Sequence, residues 1–113
     1  RLKTRLVVEG ANIPFTLGAE EYLHERGVVC IPDFIANAGG VICAAIEYHG
    51  ATQAAALQTI EEKLRRNTRQ VLEASAQRNI LPRAAAMELA MARIKHAMSL
   101  RRYSLFSTAP GFV

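Results

Sequence analysis

The chain has 113 residues, half of them apolar and 21% charged, with seven Gly, four Pro, no Trp and a mean hydropathy of +0.08. That balance excludes a disordered chain, which lacks apolar residues to bury, and a collagen-like or low-complexity one, which needs far more Gly and Pro. The net charge of +4 is uneven: residues 1–50 carry four basic and six acidic groups, a balance of −2, whereas residues 51–113 carry ten and four, a balance of +6.

The chain opens Arg-Leu-Lys-Thr without Met and runs at once into apolar residues, so it reads as a piece of a longer protein, and its start has no signal-peptide pattern. Residues 4–9 (TRLVVE) form a short β-branched-rich run stopped by Gly10, which predicts a strand. Residues 17–26 predict a helix, with Leu17, Ala19, Tyr22 and Leu23 as its apolar stripe, Glu20, Glu21 and Glu25 as its wet side, and Gly27 as its stop. Residues 28–31 (VVCI), stopped by Pro32, predict a second, buried strand. Strand, helix and strand with short loops make a βαβ unit, whose two strands run parallel.

Beyond Pro32 every apolar pattern has helical spacing. Gly39-Gly40 opens a helix that runs to about His49 and ends at Gly50. A long helix follows over residues 52–78, with Leu57, Ile60, Leu64, Val71 and Leu72 on one face and Glu61, Glu62, Arg65 and Arg66 on the other. Pro82, at a favoured first helical position, starts a last helix whose stripe is Met87, Ala90, Met91, Ile94, Ala97 and Met98. Arg101 and Arg102 suit the dipole of its final turn, and residues 103–113 show no period and are expected to be extended. The fold class is therefore α/β: one βαβ unit of a partial parallel sheet, then three helices, two of them long. Residues 1–50 form the βαβ portion with its following helix, and residues 51–113 a helical segment of the same domain. Two strands alone make a poor sheet, so the chain reads as the second half of a larger α/β domain, expected either to borrow strands from a second copy or to sit exposed at one edge.

The longest uncharged stretch, residues 34–46, includes Asn37 and falls short of the roughly 20 apolar residues that a membrane helix needs. Cys30 and Cys43 lie in apolar surroundings without a CxxC pairing, which points to two buried thiols in a reducing cytosolic setting. His24, His49 and His96 are scattered, and no metal site is expected. Basic residues of the second half alternate with Glu and few aromatics accompany them, so a solvated helix face fits better than a nucleic-acid footprint.

In an open parallel sheet, ligands bind beyond the carboxyl ends of the strands. Two small, polar stretches fall there: Gly10-Ala11-Asn12 and residues 32–40, PDFIANAGG. The side-chain amides of Asn12 and Asn37 each offer donors and an acceptor, suited to a carboxamide or a sugar hydroxyl. Gly39 and Gly40 permit close backbone approach, and the helix that they open presents unpaired N–H groups. Ordinary structural uses compete: Asn12 as a turn residue before Pro14, Asp33 as a helix cap, and Gly39-Gly40 as a tight helix–sheet contact. Glu9 and Glu47 are the carboxylates nearest the apolar segments, and a structural role is the better reading for both.

Together, VVEGANIP and IPDFIANAGGV in this order and separation resemble the nucleotide-binding domain of the glutamate/leucine/phenylalanine/valine dehydrogenase family, in which one strand ends in EGAN-x-P and the next in PD-x-x-x-NAGG. A looser likeness continues through LPRAAAMELAMARIKHAM and covers roughly residues 6–102. The resemblance implies a Rossmann-like fold and a parent enzyme that uses NAD or NADP to deaminate an L-amino acid, most nearly of the glutamate type, to a 2-oxo acid and ammonia. It further implies a cytoplasmic homo-oligomer without nucleic-acid or membrane partners.

By position it implies that Asn12 lies near the nicotinamide riboside and Asn37 near the nicotinamide amide, with Gly39 and Gly40 giving backbone access. Val41 and Ala44 match the substrate side-chain pocket. Ala44 is a departure, because glutamate-specific members usually present a serine hydroxyl there. The family's catalytic lysine and aspartate and its glycine-rich phosphate turn match nothing in the chain, so no catalytic residue is assigned and the isolated chain is expected to be inactive. The alternative is a regulatory or interaction module that has kept the fold and lost the chemistry.

Overall fold

The computed structural model describes residues 3–101, the last by its backbone alone. Arg102 and the expected extended segment over residues 103–113 lie outside the described residues. The order is β1 (Leu6–Val8), α1 (Leu17–Glu25), β2 (Val29–Ile31), α2 (Asp33–Ala36), α3 (Gly39–Tyr48), α4 (Gln53–Arg78) and α5 (Pro82–Arg101). The strands pair in parallel with Leu6 opposite Val29, Val7 opposite Cys30 and Val8 opposite Ile31. The α/β class and the βαβ unit hold. Both strands are shorter than their sequence runs, and α2 adds a short helix ahead of the one that Gly39-Gly40 opens.

Side-chain alternation along β2 divides the core into two layers. Cys30 packs with Leu23, Val28, Val7 and Phe15 on the α1 side. Ile31 packs with Ile35, Val71, Ala85 and Ala86, which brings α2, α4 and α5 to the other side. The small residues Ala85 and Ala86 let the α5 backbone come close to the sheet and to α4, where Val71 is 1% exposed. Cys30 is a buried free thiol, whereas Cys43 is a free thiol only half-buried on α3, which corrects the expectation of two buried ones. Burial, then the charges of Glu9 and Glu20, push the Cys30 thiol above the usual range.

Three helices stop by a left-handed residue at or just past the last turn, a conformation that frees the following N–H to reach back. Gly27 (φ +70°) follows α1, and the Val28 N–H donates to the Leu23 carbonyl at 3.0 Å. Gly50 (φ +76°) follows α3 with the Ala51 N–H on Ile46, and Asn79 (φ +51°) follows α4 with the Ile80 N–H on Ser75. Thr16 and Thr52 cap the starts of α1 and α4 with their hydroxyls.

Three helix faces differ from the sequence pattern. Glu20, placed on the wet side of α1, is 3% exposed, whereas Leu17 and Tyr22 of the expected stripe are more than half exposed. Leu57 of the α4 face is also exposed. On α5 the inward residues are Ala85, Ala86 and Leu89, and the stripe of Met87, Met91, Ile94 and Met98 is exposed. No described helix is long and apolar enough to cross a membrane.

Candidate functional site

The carboxyl ends of both strands converge on one guanidinium, that of Arg83 in the first turn of α5. Its Nη2 donates to Glu9 Oε2 at 2.8 Å, its Nε to Glu20 Oε1 at 2.5 Å and its Nη1 to Asp33 Oδ1 at 3.1 Å. Glu9 closes β1, Glu20 belongs to α1 and Asp33 opens α2, so a single planar fork ties three elements to a fourth. The carboxylate side chains are 1%, 4% and 9% exposed, which makes this a buried charge cluster and not a solvated surface network.

Three acidic groups share one cation, and the cluster responds unequally. Burial, helped by the Glu20 charge, pushes the Glu9 carboxyl above the usual range, against the pull of Arg83. Glu9 Oε1 is buried with no hydrogen-bond partner among the described residues. Asp33 goes the other way: the Ile13 amide, ahead of the Phe34 amide and Arg83, holds it below the usual value although burial opposes this. Burial works against the Arg83 cation, and its bonds to Glu20 and Asp33 outweigh that, so its proton is held more tightly than usual.

Asp33 also reaches across to the loop after β1. Its Oδ2 accepts the Ile13 N–H at 2.8 Å, and Ile13 has φ +50°, a left-handed conformation that a β-branched residue rarely adopts. Asp33 is therefore no simple helix cap; α2 has no side-chain cap bond. On either side of this clamp stand the two asparagines, and Asn37 Nδ2 donates to Asn12 Oδ1 at 2.6 Å. Asn12 is exposed and Asn37 half-buried at the end of α2. Their bond leaves the Asn12 amide N–H groups and the Asn37 amide oxygen without partners among the described residues.

The glycines beyond them serve different purposes. A Cβ on Gly39 would meet Ile60 Cγ2 of α4 at 3.5 Å, an ordinary contact, and one on Gly40 would meet nothing within 4 Å. A tight helix–sheet contact is thus not the reason for this pair. Val41 and Ala44, one helical turn apart, are both exposed on α3, Val41 at 78%. Glu47 lies exposed on the same helix. Among the described residues no group of three or more His, Cys, Asp or Glu side chains is arranged to hold a metal ion. A cavity of about 470 Å³ opens at the other end of the strands, lined by Arg5, Leu6, Val29, Leu72 and Pro82 among others, and touches none of these site residues.

The sequence brought Asn12, Asn37 and the glycines to one edge, and the structure joins the two amides directly. Reading the residues alone missed Arg83 and Glu20. A signal existed for each: Glu20 sits three residues before the buried Leu23, on the same helical face. Arg83 is a cation in the first turn of a helix, where the dipole disfavours it unless carboxylates gather round. Arg83 thus brings one basic residue of the second half, read from sequence as a solvated helix face, into a buried site.

Comparison with known proteins gives a consistent answer. Residues 1–102 match the family described as glutamate/leucine/phenylalanine/valine dehydrogenase. The chain is 38% identical to a glutamate dehydrogenase of Aeropyrum pernix, over 89% of its own length and 27% of that relative. It is 41% identical to an NADP(+)-dependent glutamate dehydrogenase of Pyrobaculum calidifontis, over 88% of the chain and 25% of the relative. The crystal structure of glutamate dehydrogenase from Peptoniphilus asaccharolyticus superposes with a TM-score of 0.75 at 28% identity, covering 91% of this chain and 28% of that one. The chain thus spans about a quarter of the length of the curated relatives it matches.

Proposed function

The chain belongs to the glutamate/leucine/phenylalanine/valine dehydrogenase family, and we propose that it supplies the nicotinamide end of the cofactor site in an NAD(P)-dependent amino-acid dehydrogenase of the glutamate type. In this reading residues 1–50 are the later βαβ portion of the dinucleotide-binding domain, and the segment over residues 51–113, which carries α4 and α5, closes the same domain. The observation that carries it is the Asn37–Asn12 bond of 2.6 Å beside the left-handed Ile13.

The residues fit a carboxamide-bearing group. Paired amides leave a donor on Asn12 and an acceptor on Asn37, the complement of a second primary amide. Gly39 and Gly40 open α3 without a side chain, and the open space at Gly40 admits a flat ring close to the backbone. When bound, a nicotinamide cofactor supplies a hydride acceptor for the oxidation of the substrate's C–N carbon. The protein's contribution here is to hold that ring in one orientation, with Val41 and Ala44 one turn along α3 bordering the substrate side chain. No residue of this chain is assigned to proton transfer, and the isolated chain is inactive in this account.

The names of the relatives support a glutamate-type parent, and that of the Pyrobaculum calidifontis relative specifies NADP(+). Ala44 leaves no hydroxyl for a distal carboxylate at that position, so the parent binds such a substrate through other groups or prefers a less polar one. The parent is expected to be a cytoplasmic homo-oligomer acting on free amino acids and 2-oxo acids. The test is amino-acid-dependent reduction of NAD⁺ and NADP⁺ by the parent protein, with glutamate, leucine, valine and phenylalanine compared. Turnover with glutamate foremost, and none by the purified 113-residue chain, is the expected result. Absence of turnover with all four amino acids would favour a regulatory module that kept the fold.

A further inference from the structure

Arg83 lies on a helix remote in sequence from the motifs at the strand ends, yet its guanidinium reaches all of them. It bonds Glu9 at the end of β1 and Asp33 at the start of α2, and Asp33 spends its second oxygen on the Ile13 N–H. Ile13 stands next to Asn12, and Asn37 closes the helix that Asp33 begins, its N–H donating to the Asp33 carbonyl at 2.8 Å. The path from Arg83 to the amide pair therefore passes through one residue, Asp33, whose carboxylate accepts the N–H of Ile13, next to Asn12, and whose carbonyl accepts the N–H of Asn37.

A left-handed β-branched residue is strained and persists only where its surroundings fix it. Here the fixing contact is a carboxylate that is itself aimed by Arg83. Ile13 is 81% exposed, so packing does not hold it. The Arg83 fork is held in turn from the far side by Glu20, and the Phe34 ring lies 5.6 Å from its carbon centre.

We infer that Arg83 is a positioning residue for the cofactor edge: through Asp33 it locks the Asn12-Ile13 turn and so presets the Asn12–Asn37 amide pair before the ligand arrives. The inference rests on the reading that this pair meets the nicotinamide amide. Arg83 touches neither cofactor nor substrate in this scheme; it reduces the ordering that binding would otherwise require. A lysine retains the charge and loses the planar fork, so Arg83→Lys separates aim from mere neutralisation.

The experiment uses the full-length parent carrying Arg83→Lys and, separately, Asp33→Ala, which removes the clamp but leaves the bonds of Arg83 to Glu9 and Glu20. Amide hydrogen exchange over residues 10–16 is read without cofactor, and NADH and NADPH affinities are read by fluorescence titration without substrate. Exchange over residues 10–16 is expected to rise about tenfold or more while α4 keeps its protection, and the affinity for the preferred cofactor to fall about tenfold. Native exchange over residues 10–16 in a folded Arg83→Lys parent overturns the inference. If Arg83→Lys does not fold, Asp33→Ala decides by the same readouts. Raised exchange with unchanged affinity for both cofactors upholds the clamp and overturns the cofactor reading on which it rests.

Discussion

Helix α5 serves two regions of the molecule that treat its residues in opposite ways. At its amino end Arg83 is drawn into a buried cluster in which all three of its carboxylate partners come from other elements. From Met87 onward the same helix presents Met87, Met91, Ile94 and Met98 to the outside, each about half exposed or more. The costly groups, charges, are inside and paired with one another; the apolar ones, which gain from burial, are left out. Contacts among the described residues therefore close the carboxyl edge of the sheet but not the outer face of its last helix. An edge made complete at that expense is what a positioned ligand site requires, because its amides have to stand still.

The polar end of α5 carries the greater cost. Arg83→Met leaves three buried carboxylates without a cation and is expected to lower stability by about 3–5 kcal/mol, read by denaturant unfolding of the chain. Met91→Gln on the exposed stripe of the same helix is expected to change it by no more than about 0.5 kcal/mol. Equal losses for the two would mean that the edge and the stripe do not differ as described.

A smaller effect has a definite pH signature. Because the folded value of Asp33 is lowered, its contribution is fully present above the ordinary aspartate value of about 3.9 and is lost as the pH falls through the lowered one. Asp33→Asn is expected to cost about 1–3 kcal/mol at pH 7, with the gap to the unaltered chain closing in acid. Glu9 has the opposite sign: its raised value means that stability falls as the pH rises through it. Glu9→Gln is accordingly expected to cost less than Asp33→Asn at pH 7, and thermal melts of both variants from pH 3 to 7 check the order. Smallest in energy, Ala44→Ser in the parent restores a hydroxyl and is expected to raise kcat/KM for glutamate relative to leucine by about tenfold.

Most of the architecture was legible in the sequence because local signals agree with it. Gly10, Gly27, Pro32, Gly50 and Pro82 mark element ends that the backbone respects to within two residues, and Thr52 stands just before α4 as its cap. The pattern erred where long-range contacts override local character. Glu20 looks like a solvated helix residue until Arg83, 63 positions later, is known to reach it. The α5 stripe has the spacing of a buried face, yet among the described residues it is Ala85, Ala86 and Leu89 of that helix, outside the stripe, that pack on the core. Of the site, the motifs brought Asn12 and Asn37 to one edge, but the strained Ile13 and its bond to Asp33 come from a fold-level juxtaposition that no residue spacing encodes.

The most direct test of the account is the cofactor affinity of the parent protein with Asn37→Ala, titrated with NADH and NADPH in the absence of substrate. Affinity for the preferred cofactor is expected to fall about tenfold while the melting temperature hardly moves, since Asn37 is only half-buried and its bond to Asn12 is at the surface. Unchanged affinity for both cofactors in a folded variant would contradict it.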